Sequence, residues 1–362
     1  MLVEGAILDR DGPRAAYVRF RNGRVVEVGA PGTASTRGRL HQVRGIVIPA
    51  PVNGHTHLGD AVSVREPPDG PVEELVAPPL SYKFQLLADT PRAAKLAAMR
   101  AALGRMVREG VGAMLDFREE GVAGVELLRS ALSEVPLRGF VFGRPLRRPI
   151  DARELAHVLD VADGVGLSSA RDEDTDTRRA VARACRRSRK RYGLHASESV
   201  RERPETYLDP TPDLLVHLTQ ATADDLTAVR DQGVAVALCP RSNALFGRQA
   251  DLRTMERLGL KVLLGSDNAM FHTPSIWSEL QFAYTSSRLL GRPVSASFLA
   301  RAALVEPWAW LGVPEAARVA PGSPIRPLVL RLPPDDPAYQ VVTRVTEQVI
   351  VRPGPRPRRR SR

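Results

Sequence analysis

His55 and His57 stand one residue apart in "VNGHTHLGD" (52–60), and a chain with only seven histidines in 362 residues places two of them there. In a β-strand, residues i and i+2 point to the same face. Two imidazoles side by side are poor core material and good metal ligands. Further histidines and carboxylates follow, each at or just past the end of an apolar run. They are His195 in "YGLHAS", Glu198 three residues later, His217 in "DLLVHLT" and Asp267 in "KVLLGSD". Borderline cations such as zinc favour imidazole and carboxylate, and catalytic sites keep one position open for water. Singly, each residue has a plainer reading. His217 would pass for a satisfied core histidine, and Glu198 for a solvated loop carboxylate.

For these side chains to meet, the runs that carry them must be neighbouring strands. Counting from "VNGHTH", the runs are "VGAMLDF", "LRGFVFG", "GVGLSS", "YGLHAS", "DLLVHLT", "VAVALCP" and "KVLLGSD", eight in all. Helical stretches separate most of them. One is "TPRAAKLAAMRAALGRMVREG" (90–110), with Thr90 as a cap, Pro91 in the first turn and Gly110 at the stop. Only "SESVRERPETYLDPTP" is too short and Pro-rich for a full helix. Eight βα units predict an α/β fold, a (β/α)8 TIM-like barrel with its site at the C-terminal strand ends. The first fifty residues read as short strands, with Asn22-Gly23 turning a hairpin. "PLVLRL" and "QVVTRVTEQVIV" return to strand-like patterns near the other end. The expected division is therefore a small β-sandwich domain from residues 1–50 and 318–351, a barrel over 51–317, and a basic disordered tail at 352–362. The Pro-rich stretch 58–87 after the first barrel strand is long enough to cover the mouth.

The net charge of +11 invites a nucleic-acid reading, but only Lys83, Lys95, Lys190 and Lys261 are lysine among 52 basic residues. The tail "RPGPRPRRRSR" alone carries six arginines. A solvated tail is the reading adopted, and no nucleic-acid partner is expected. No run approaches the ~18 apolar residues of a membrane span, and no signal peptide is read at "MLVEGAILDR". Cys185 and Cys239 form no disulfide framework, which fits a reducing, cytoplasmic setting. A homo-oligomer is left open.

"HTH", "HASE", "LLVHLT", "CPRSN" and "GSDN", in this order, resemble the amidohydrolase superfamily, in particular its metal-dependent chlorohydrolase and nucleobase-deaminase branch. The resemblance runs over nearly the whole chain. It departs at "IRPLVL", where an Ala-Asp-Leu strand is usual. It implies His55, His57, His195 and Asp267 as ligands of one divalent ion, Zn2+ or Fe2+. The binuclear branches carry a carboxylated lysine on strand four, and "GVGLSSARDED" has none. It implies that His217 holds the attacking water, that Asp267 accepts its proton, and that Glu198 protonates a ring nitrogen. An ideal strand would put Glu198 on the face opposite His195, so the chain must turn over the mouth there. Cys239 reads as a core residue. Lys83, Gln85, Arg118 and Arg241 fall on strand-end loops and could meet an anionic or carbonyl-bearing substrate. Ser242, Asn243 and Asn268 could line the pocket. The expected function is a metal-dependent hydrolase of C–N bonds in a small nitrogen heterocycle, a deaminase releasing ammonia by attack of metal-bound hydroxide. A cyclic amide hydrolase resembling imidazolonepropionase and a non-catalytic barrel binding protein are the alternatives.

Overall fold

The computed structural model describes residues 1–35 and 41–351, so the tail expected at 352–362 lies outside the described residues. The described residues divide into two compact units, Met1–Val52 with those from Ser295 on, and Asn53–Val294.

The terminal unit is built on β1 (Leu2–Asp9), β2 (Gly12–Arg21), β3 (Arg24–Gly29) and β4 (Gln42–Ile48). Asn22, at φ 52°, and Gly23, at φ 78°, make the β2–β3 turn that the sequence predicts. The sheet order is Ile350–Val351, Leu328–Leu330, β4, β1, β2, β3. Alternating residues Val3, Ile7, Val18, Phe20 and Val47 gather on one apolar face with Val319 and Val329. Among the described residues this is one continuous sheet, not the two facing sheets of the expected sandwich. The C-terminal segment supplies strands of only three and two residues, too little for a second sheet. Most of "QVVTRVTEQVIV" is helical instead. Asp336 caps the helix Pro337–Arg344 by accepting from Tyr339 N, and Pro337 occupies its first turn. The unit also takes in the helices Ala296–Leu304 and Glu306–Trp310, which the expected boundary at 317 assigned to the barrel. Trp308 Nε1 donates to Ala50 O at 2.8 Å.

The second unit is the barrel. Its strands are β5 (Val52–His57), β6 (Ala113–Arg118), β7 (Arg138–Gly143), β8 (Gly164–Leu167), β9 (Arg191–Ala196), β10 (Leu214–His217), β11 (Ala235–Leu238), and the short pieces β12 (Val262–Leu264) and β13 (Asp267–Asn268). Neighbours from β6 to β12 run parallel, and β8 and β10 to β12 are buried throughout, as parallel strands covered on both faces must be. Pieces β12 and β13 are one eighth strand with a break. The first pairs with β11 and the second with β5, so this segment closes the ring. Gly265 sits at the break, where an added Cβ would lie 2.6 Å from His55 N and 2.7 Å from its Cβ. Only glycine lets the strands pass this closely. Asn53 and Ser266 brace the seam with reciprocal bonds, Asn53 Nδ2 to Ser266 Oγ at 2.8 Å and Ser266 N to Asn53 Oδ1 at 3.0 Å.

A helix follows each strand. Ala152–Val161 buries Leu155, Val158 and Leu159 at helical spacing, and Thr222 with Asp225 makes a capping box at Ala223–Asp231. After β9 there is only Pro204–Tyr207, as the Pro-rich crossover suggests. The first long helix is Arg92–Arg108, with Pro91 at its cap. Thr90, expected to cap it, instead donates its hydroxyl to Leu86 O at the end of the preceding helix, at 2.6 Å.

Candidate metal centre

The six residues of β5 are all buried, and their alternation sends His55 and His57 to one face and Thr56 to the other. Thr56 Oγ1 bonds Asp116 Oδ2 on β6 at 2.9 Å, which fixes the register of the two rings. His195 is the last residue but one of β9, and Asp267 opens β13 in the left-handed region at φ 59°. These four side chains converge. His195 Nε2 lies 3.3 Å from His55 Nε2 and 3.4 Å from His57 Nε2. Asp267 Oδ1 lies 3.5 Å from the Nε2 of both His55 and His57.

This geometry fits a cation. Burial lowers the pKa of all three imidazoles, that of His57 to about 3, so the rings are neutral and carry lone pairs. His195 donates Nδ1–H to Leu167 O at 2.9 Å, which leaves Nε2 as its acceptor atom. Burial alone would raise Asp267, but the surrounding imidazoles, His55 foremost, hold it well below the usual carboxylate range. Its Oδ2 accepts from Ser242 Oγ at 2.6 Å, whereas buried Oδ1 has no hydrogen-bond partner. Three neutral imidazoles and one carboxylate, all buried, thus face one another, and His195 turns an acceptor nitrogen inward. Tetrahedral ligands at zinc distances of about 2.0–2.1 Å would stand about 3.3–3.4 Å apart, close to the separations found here.

His217, Glu198 and Asn243 flank the cage. Asn243 Nδ2 lies 3.0 Å from His217 Nδ1, and His217 Nε2 lies 3.4 Å from Glu198 Oε1. Ser197 turns at φ 47° and directs Glu198 back over the mouth, the turn that the sequence requires after His195. Glu202 holds that turn by accepting from Ser197 N at 2.5 Å. Burial pushes the Glu198 carboxyl above the usual range. Left-handed backbone at Ser197, His217, Leu218 and Asp267 concentrates strain at these strand ends. Cys239 lies near His217 and Asp267, but burial pushes its thiol far up, and a neutral thiol is a poor ligand.

The remaining expected site residues separate into two groups. Lys83 Nζ donates to Asn268 Oδ1 at 3.0 Å, so both lie at the strand ends beside the cage. Ser242 and Asn243 meet Asp267 and His217. Three others, expected to meet substrate, have different partners. Gln85 is exposed and donates to Leu80 O at 2.9 Å. Arg241 is engaged by Glu279 at 2.7 Å and by Thr273 O. Arg118 is sealed between Asp116 and Glu119, passing so close to Gly59 that a Cβ there would collide with its guanidinium.

Glu119, Asp116 and Asp60 were not singled out from the sequence. Glu119 Oε1 lies 2.7 Å from His57 Nδ1 and 2.6 Å from Lys83 Nζ. Burial pushes the Asp60 carboxyl up to about 7. The signal for the first two was "LDFREE" at the end of β6, a strand end like those that carry the cage residues. Across the mouth, Ser199 after β9 donates to Glu73 Oε1 at 2.6 Å, so the segment that leaves β5 reaches the loop of a distant strand.

The amidohydrolase family model matches residues 46–201. A protein of Methanothermobacter thermautotrophicus, provisionally described as an aminohydrolase, is 34% identical over 270 residues, 69% of this chain and 70% of that protein. Among solved structures, an adenosine deaminase from Xanthomonas campestris with bound zinc superposes with a TM-score of 0.75 at 16% identity, covering 96% of this chain and 90% of the other. The atrazine chlorohydrolase of Arthrobacter aurescens, complexed with zinc, also gives 0.75 at 16% identity, covering 98% and 94%. At such identity the two structures speak for the fold alone. Among the described residues no helix is long and apolar enough to cross a membrane.

Proposed function

The chain belongs to the amidohydrolase family, and on that premise we propose that this hydrolase deaminates a small nitrogen heterocycle, replacing an exocyclic amino group by oxygen and releasing ammonia. The observation that carries the reading is the cage of His55, His57, His195 and Asp267 with the His217–Glu198 pair on its flank. The four cage residues would hold one divalent ion, zinc or iron. A cation held there lowers the pKa of a bound water from about 15.7 to about 7.

The chain's own groups supply the rest. His217 accepts from Asn243 at Nδ1, so its proton is on Nε2, where it can donate to the incoming water and orient it. A nitrogen that carries a proton is no ligand, which keeps His217 outside the cage. Asp267 takes the water's proton. Glu198, raised by burial, holds a proton at neutral pH more readily than an exposed glutamate. It gives that proton to a ring nitrogen as the C–O bond forms at the adjacent carbon. The C–N bond to the amino group then breaks: the amino nitrogen takes the proton held by Asp267 and leaves as ammonia, while the hydroxyl proton returns to Glu198 and the carbon–oxygen bond becomes a carbonyl.

The test is ammonia release by zinc- or iron-loaded protein over purines, pyrimidines, triazines and pterins. Ring-opened product without ammonia would replace deamination by cyclic amide hydrolysis.

A further inference from the structure

Lys83 belongs to the helix Tyr82–Asp89, within the segment between β5 and the first long helix. Its side chain is 2% exposed. The ammonium has three acceptors around it from three different places. Glu119 Oε1 beyond β6 is at 2.6 Å, Asn268 Oδ1 on β13 at 3.0 Å, and Asp60 Oδ2 after β5 at 3.6 Å. Asn268 accepts a hydrogen bond from it, and the two carboxylates meet it as ion partners, so the buried charge is neutralised from two sides. Glu119 is shared in turn. Its Oε1 also lies 2.7 Å from His57 Nδ1, and its Oε2 pairs with Arg118. A lone pair on Nδ1 would repel a carboxylate oxygen at that distance, so the His57 proton is on Nδ1 and its Nε2 is left as an acceptor. On the other side, Asn268 is the residue paired with His57 across the seam.

We propose that Lys83 and Glu119 are positioning residues that make the covering segment part of the metal cage: Lys83 holds Glu119 against His57, and Glu119 fixes the His57 ring and tautomer that the cage needs. The proposal rests on the cage reading above. A buried ammonium is costly unless its partners are in place, so the segment settles only when Glu119 and Asn268 are where the cage requires them. Conversely, a Glu119 without Lys83 is pulled towards Arg118 alone and releases His57.

The test is zinc affinity, measured by competition with a chromophoric chelator, together with backbone hydrogen exchange across residues 63–81. Lys83→Met keeps the stem and removes the charge, and Glu119→Gln keeps the shape. Each is expected to weaken zinc binding about 10- to 100-fold and to speed exchange in the segment. The double variant should bind zinc no more weakly than the worse single variant, because the two residues act through one ring. Wild-type zinc affinity in Lys83→Met, or losses that multiply in the double variant, would overturn the proposal. Should Lys83→Met fail to fold, Glu119→Gln decides alone, with unchanged affinity as the refuting result. A wild-type chain that takes up no zinc would overturn both this proposal and the cage reading. Uptake by the wild type with unaltered variants would overturn this one only.

Discussion

Asn243 Nδ2 stands 3.0 Å from His217 Nδ1, and this one contact sets His217 apart from the three histidines of the cage. The other rings turn Nε2 towards a common point, and His217 turns its Nε2 towards Glu198 Oε1 at 3.4 Å. On the proposed mechanism the two kinds of histidine have opposite hydrogen-bonding sense, and their variants should behave differently.

His217→Asn is expected to keep most of its metal and lose turnover about 10²-fold or more. His55→Asn should lose both, since it removes one of four ligands. Elemental analysis beside steady-state kinetics reads the difference, and equal metal loss in the two variants would make His217 a ligand.

Glu198→Gln removes the proton carrier and leaves the cage intact. Metal content should match wild type while kcat falls about 10²-fold or more. Wild-type turnover in this variant would reduce Glu198 to a bystander.

Purified protein is expected to carry about one zinc or iron per chain. Dialysis against a chelator should abolish activity, and one equivalent of metal should restore it. Two tightly held equivalents would contradict the single cage.

Glu279 lies buried beside Arg241, with Nε 2.7 Å from Oε1, and burial pushes its carboxyl up to about 7. The unfolded value is near 4.5. Between those values the folded chain keeps a proton that the unfolded chain has released, so stability falls as pH rises through that window. The contribution is up to about 3 kcal/mol. Melting temperature should drop between pH 5 and pH 8 in the wild type and drop less in Glu279→Gln. Parallel slopes would show that Glu279 titrates normally.

The barrel and its cage were legible because barrel strands are short buried runs and the reacting groups sit just past them. A histidine after "YGL" or an aspartate after "LLGS" needs no tertiary knowledge to be noticed. Lys83 was harder. Its burial depends on Glu119, Asn268 and Asp60, all distant in sequence except the last, and a lysine in a Pro-rich loop reads as solvated. Arg118 and Arg241 pose the reciprocal difficulty, since their acidic partners Asp116, Glu119 and Glu279 are buried and cannot be read from the loops that carry them. At the other end, the β-branched residues Val341, Val342 and Thr343 suggested a strand. Ala338, Val341, Val342 and Val345 are in fact the buried set, at i, i+3, i+4 and i+7. That spacing, after Asp336-Pro337, is a helix signal that outweighs strand propensity.

The split eighth strand has a consequence for the order of events on the ribosome. Synthesis runs from the N-terminus, so His55, His57 and His195 all leave the exit tunnel before Val262–Asn268 has been made. Through that interval β5 has an open edge, a template on which another nascent chain could pair. The three imidazoles meanwhile form an incomplete trap that any thiophilic or borderline ion could visit. The arrival of Asp267 and Asn268 ends both exposures together, because the residues that cover the edge of β5 also bring the carboxylate that faces His55 and His57. The same few codons thus cover the strand edge and complete the set of facing side chains.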